Sequence, residues 1–245
     1  MLDDYLAFGN DRIEVRYIYK DRSFAEETHV LLGKAVDSLT RYFDLKTPFP
    51  LVRAILATTR DEFDRLVADL LGVEIERPSH PRRMAQPQRT DLVILSPSAY
   101  EKYSTFEYSP DEYGRLLFHE VTHVFEEYLA PNMETPSRWW SEGLAAYLSE
   151  QWKHEDQYGF RQPVLQGLET RRIPDIGEIE ASIELCYDWG WTVVMFIEKT
   201  YGREFVLRIV GECDNGDVCG MLGEDMDTFQ QNWKKWLLVA FAGCA

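Results

Sequence analysis

The sequence predicts an α+β fold, and three observations predict it. Short apolar runs that read as strands fall in the first part of the chain, apolar residues at helical spacing dominate the second, and the two kinds of pattern are segregated. A single domain of 245 residues is expected, with a sheet-bearing lobe over 1–108 and a helical lobe over 109–245.

The first strand is expected from Arg12 to Tyr19, where Ile13, Val15, Tyr17 and Tyr19 alternate with polar residues. Phe24, Val30, Leu31, Ala35, Leu39 and Phe43 recur at helical spacing and predict a helix over 23–44. Pro48 and Pro50 break it, and Leu51 to Ala57 reads as a second strand. Thr59 is placed to cap a helix running to about Leu71. Pro78 to Gln88, rich in proline and arginine, reads as an exposed loop, and Asp91 to Ser96 as a third strand. Ser109 or Asp111 caps a long helix from Pro110 to about Leu129. Pro131 and Pro136 mark a connection. Further helices are expected over 138–152, over 186–200 with Gly202 at the end, and near 203–212 and 226–241.

Hydrophobic residues make up 45% of the chain, which suits a folded core. The formal net charge of −16 repels phosphate backbones and anionic membranes, and argues against nucleic acid or a membrane as partner. No run reaches the roughly 18 apolar residues of a membrane span. Met-Leu-Asp-Asp-Tyr-Leu does not open a secretory signal, so a cytoplasmic location is expected. Cys186, Cys213, Cys219 and Cys244 show no CxxC spacing and are expected as free thiols; Cys213 and Cys219, which flank an Asp-Asn-Gly-Asp turn, could bridge if oxidised.

The chemistry concentrates in His119-Glu120-Val121-Thr122-His123. Two histidines four apart on a helix place both imidazoles on one face, where they can share a zinc ion. Glu120, beside the first histidine, is placed to act as general base toward a water that the metal acidifies. The competing reading is a polar helix face. Leu116, Leu117, Val121, Val124 and Phe125 around the pair argue for a mostly buried helix, where unshared histidines would be costly. A third ligand is needed, and Glu142 is the candidate, with eighteen residues between it and His123. The alternative for Glu142 is a surface carboxylate near a helix start. Glu126 and Glu127 read as rival ligands or as partners that orient an imidazole, with at least one of them plain surface charge. His29, His80 and His154 lack a spaced partner and read as structural or solvated, and Arg82 and Arg83 as solvated charge.

These residues resemble the gluzincins, which include thermolysin and the aminopeptidase N family. The pattern is HExxH, eighteen residues, then Glu, with Trp before that Glu and Gly and Ala after it; His119, Glu120, His123, Glu142, Trp139, Gly143 and Ala145 match it. The resemblance implies that His119, His123 and Glu142 ligate zinc and that Glu120 is the base. It implies a zincin-like metallopeptidase fold, with a mixed-sheet lobe, a helical lobe and the active-site cleft between them. Tyr187-Asp188-Trp189-Gly190 is similar to the Tyr-x-x-Gly run that opens a helix in the aminopeptidases, where the tyrosine hydroxyl stabilises the oxyanion. The alternative for Tyr187 is an aromatic core residue, and Tyr147, Tyr158 and Tyr201 are weaker alternatives for the role. No Gly-x-Met-Glu-Asn run precedes HExxH, and Trp189 stands where lysine is usual, so an endopeptidase is favoured over an aminopeptidase. The expected function is zinc-dependent hydrolysis of peptide or protein substrates. The expected arrangement has the Asp91 to Ser96 strand pairing with an extended peptide. The alternatives are a zinc hydrolase of a non-peptide substrate and a catalytically silent metal-binding module.

Overall fold

A computed structural model describes residues 4–130, 137–153, 159–213 and 217–242. The chain divides into two compact units, Met1–Tyr128 and Leu129–Ala245. The class is α+β, with a mixed five-stranded sheet in the first unit and helices in the second.

In the first unit, β1 (Leu6–Gly9), β2 (Ile13–Tyr17), β3 (Val52–Ala57), β4 (Ala85–Gln88) and β5 (Asp91–Leu95) lie in the order β1-β2-β3-β5-β4. β2, β3 and β5 are mutually parallel, while β1 and β4 run antiparallel at the two edges. Central parallel strands are covered on both faces, hence the nearly unbroken apolar runs of β3 and β5. β1 was invisible to periodicity because it is a short, largely exposed edge. Its turn into β2 needs Gly9: a Cβ there would lie 2.1 Å from the Ile13 carbonyl oxygen, and φ is +155°.

α1 (Arg22–Tyr42) packs its apolar stripe, Ala25, Leu32, Ala35, Val36 and Leu39, into the core. α2 (Arg60–Leu66) starts as expected at Thr59, whose side chain accepts from the Glu62 N–H, and continues as a wider turn over Val67–Leu71. A short α3 (Tyr100–Tyr103) precedes α4 (Pro110–Leu129).

The expected exposed loop over Pro78 to Gln88 is corrected: its second half is the edge strand β4, and Ser79, Met84 and Ala85 are buried. A buried guanidinium holds the first half. Arg60 donates to Ser79 Oγ and to the carbonyls of Pro81, Arg83 and Tyr103, while Asp64 accepts from the Ser79 N–H and hydroxyl. Such a segment reads as loop because its partners lie far away in sequence.

The second unit contains α5 (Arg138–Leu148), α6 (Arg161–Thr170), α7 (Ile176–Ala181), α8 (Ile183–Tyr201), α9 (Arg203–Glu212), α10 (Val218–Leu222) and α11 (Met226–Ala240). α5 stops four residues short of the expected 152, at the Ser149 C-cap. α6, α7 and α10 were not expected. α8 is the central element: from Trp189 to Ile197 every residue is buried. The expected division at 108/109 and the one at 128/129 differ by the length of α4. Pro131, Pro136, His154, Tyr158 and Cys244 lie outside the described residues. No helix among the described residues is long and apolar enough to cross a membrane.

Candidate metal centre

α4 carries the histidine pair, and its sequence explains its start. Ser109 Oγ accepts from the Glu112 N–H at 3.3 Å, Pro110 takes the first helical position, and Asp111 and Glu112 fall in the first turn. Its apolar face is fixed by aromatic stacking: Phe125 lies 3.9 Å from Phe49 and 5.7 Å from Phe43, centroid to centroid. The buried Tyr113 hydroxyl pairs with Thr28 Oγ1 of α1 at 2.7 Å, and burial raises that phenol's pKa well above its ordinary value.

One turn apart, His119 and His123 bring their Nε2 atoms within 3.2 Å. His119 is 5% exposed and Glu120 8%, so the pair and the neighbouring carboxylate sit largely out of water. The other nitrogen of His123, Nδ1, lies 3.2 Å from Glu126 Oε2. Of the two readings for Glu126, this places it as a partner of the imidazole. Glu127 points elsewhere. It accepts from the Arg89 N–H at 2.6 Å and from the Gln88 side chain at 3.2 Å, tying the β4–β5 turn to α4.

Glu142 belongs to α5, one residue before Gly143. The α5–α8 crossing is unusually close. A Cβ on Gly143 would fall 2.5 Å from the Gly190 carbonyl carbon, and one on Gly190 would fall 2.5 Å from the Trp139 carbonyl oxygen. Only glycine fits at either position. The first turn of α5 is held by Glu180 of α7, which accepts from the Trp139 N–H at 3.1 Å. Sequence reasoning missed Glu180, since nothing local marks a carboxylate 41 residues away as a cap.

One ligand atom each from His119, His123 and Glu142 lies within 4.8 Å of the others, so the three form a group that could hold a metal ion. It is the only such group found among the described residues. His29 instead packs edge-on against Phe8, and His80 Nδ1 accepts from the Arg82 N–H.

Tyr187 is corrected in one respect. It does not open its helix: α8 begins at Ile183, capped by Ser182 Oγ on the Leu185 N–H, which puts Tyr187 a full turn inside. Its half-buried ring stacks on Phe160 at 5.6 Å. Tyr147 and Tyr201 donate their phenolic protons to Glu198 and Glu224, and burial together with those carboxylates pushes both pKa values up. Cys186 donates to the Ile179 carbonyl, and its thiol is pushed up to about 12, mainly by burial and then by Glu180 and Glu142, which disqualifies it as a nucleophile. Cys186, Cys213 and Cys219 form no disulfide among the described residues.

The strand over 91–95 is corrected as well. β5 is paired on both sides, by β3 and β4, so no extended chain can add to it. Beside it the sheet ends at β4. The Leu95 N–H donates to the Met84 carbonyl, which makes Met84/Leu95 and Gln86/Val93 the hydrogen-bonded pairs. By alternation, the Ala85 N–H and carbonyl and the Pro87 carbonyl face away from β5. A proline without an N–H suits such an edge.

No family model matches the chain, and no curated protein matches it.

Proposed function

We propose that this chain is a zinc peptidase of the gluzincin type, with a zincin-like fold, that cuts within peptides or proteins. The observation that carries the reading is the His119–His123–Glu142 group with the buried Glu120 next to His119 on α4. The donors fit zinc. Two imidazole nitrogens and a carboxylate oxygen are a catalytic zinc set, and two nitrogens on one tetrahedral ion stand about 3.3 Å apart, close to the 3.2 Å between the two Nε2 atoms. A bound zinc ion would polarise the scissile carbonyl and acidify water.

The chain's own groups supply the rest. Glu120 takes a proton from the attacking water as the water oxygen bonds to the carbonyl carbon. It then delivers that proton to the amide nitrogen as the carbon–nitrogen bond breaks, releasing an acid and an amine. Tyr187 donates to the carbonyl oxygen as negative charge builds there. An intact base favours an enzyme over a silent metal module, since a purely structural site has no use for one.

Two variants test this. Glu120→Gln should bind one zinc per chain and lose turnover by at least about 100-fold. Glu142→Ala should bind zinc more weakly as well. Metal content by elemental analysis and cleavage of a fluorogenic peptide give both readouts. Full activity of Glu120→Gln rules the mechanism out.

A further inference from the structure

We propose that Glu126 is a positioning residue that holds His123 in the tautomer with its proton on Nδ1, leaving Nε2 free to ligate. The inference rests on the proposed zinc site but concerns a residue outside the ligand group. Glu126 Oε2 lies 3.2 Å from His123 Nδ1, whereas His123 Nε2, on the far edge of the same ring, meets His119 Nε2 at 3.2 Å. Glu126 therefore addresses the edge of the imidazole turned away from the histidine pair. It is nearly buried, at 9% exposure, so its contact is little screened by water.

The consequence follows from the inventory of the ring. A neutral imidazole has one N–H and one lone pair. A carboxylate accepts only, so Nδ1 must carry the proton and the lone pair must sit on Nε2. The same contact makes that nitrogen a stronger donor to a metal. Without Glu126 the bias toward the proton on Nδ1 is lost, and part of the population presents an N–H where a lone pair is needed. A helix makes the arrangement possible, because residues three apart share a face. Glu127, one position on, points to the Arg89 turn instead, which divides the work of two adjacent carboxylates.

Two readouts on Glu126→Ala and the near-isosteric Glu126→Gln test it. The first is the zinc dissociation constant by chelator competition. Wild type should bind tightest, Glu126→Ala about 10–100-fold more weakly, and Glu126→Gln in between. The second needs no metal: nitrogen-15 spectra of histidine-labelled, metal-free protein at mildly alkaline pH, with His123 assigned from His123→Gln. Wild type should show His123 protonated on Nδ1, and Glu126→Ala a mixture. Unchanged zinc affinity together with an unchanged tautomer overturns the proposal. If wild type takes up no zinc, the zinc reading fails, and the tautomer in the metal-free protein still decides the role of Glu126. If Glu126→Ala does not fold, Glu126→Gln carries both readouts.

Discussion

α4 and the α5–α8 pair carry the candidate site residues by different means. On α4 the two histidines meet because a helix turns once in about four residues. Glu120 comes with them for the same reason, and the surrounding apolar stripe only has to bury the helix. On α5 and α8 nothing local suffices. Glu142 and Tyr187 flank a crossing made possible by Gly143 and Gly190, which are 47 positions apart in the chain, and by the Glu180 carboxylate on the first turn of α5. The first arrangement should survive disturbance of its packing as long as the helix forms. The second should fail whenever the two helices are pushed apart.

The crossing should therefore give a large effect that is confined to the second unit. Gly143→Val forces a side chain into the Gly190 backbone, and the second unit should lose about 3 kcal/mol. Hydrogen exchange read by mass spectrometry should show lost protection across α5 and α8, with α1 and the sheet unchanged. Uniform loss over both units would break the comparison. Phe125→Ala tests the other side. Removing a ring stacked between Phe43 and Phe49 should cost the first unit about 3–5 kcal/mol in denaturant unfolding. The i to i+4 spacing of the histidines persists while α4 stays helical, so zinc should still bind to the folded fraction.

A smaller, pH-dependent effect belongs to the second unit alone. Asp225 caps α11 and accepts from the Thr228 N–H and hydroxyl, which hold its carboxyl below the usual aspartate range. A depressed folded pKa contributes stability above the unfolded pKa, and that contribution disappears as pH falls through the folded value. Melts of wild type and Asp225→Asn across the acid range should diverge above the ordinary aspartate pKa and converge below the folded one. A constant gap would assign the effect to the cap's hydrogen bonds rather than to its charge.

The same contrast explains what the sequence disclosed. The histidine pair, Glu120, the capped starts of α2 and α4 and the three parallel strands all follow from local spacing, although the first strand ends at Tyr17 and Tyr19 turns outward into a short 3-10 helix. Glu142 was reachable through its spacing from His123 and its tryptophan and glycine flanks. β1 and β4 were not legible: one is an exposed four-residue edge, the other a proline-bearing strand whose approach is fixed by Arg60 from α2. With β4 illegible in the sequence, the strand over 91–95 has the pattern of an edge although β3 and β4 flank it. Tyr187 lies one turn inside α8 rather than at its start because Ser182 supplies the N-cap. The role of Glu126 was legible as one of two options, since i+3 spacing from His123 allows contact without saying which nitrogen it meets.

The proposed reaction is hydrolysis of peptide bonds by the His119–His123–Glu142 group with Glu120. The most direct test is mass spectrometry of a mixed peptide library after incubation with zinc-loaded wild type and, in parallel, zinc-loaded Glu120→Gln. New internal termini should appear with wild type and none with Glu120→Gln. Equal cleavage by both proteins, or an untouched library with fully zinc-loaded wild type, would contradict it.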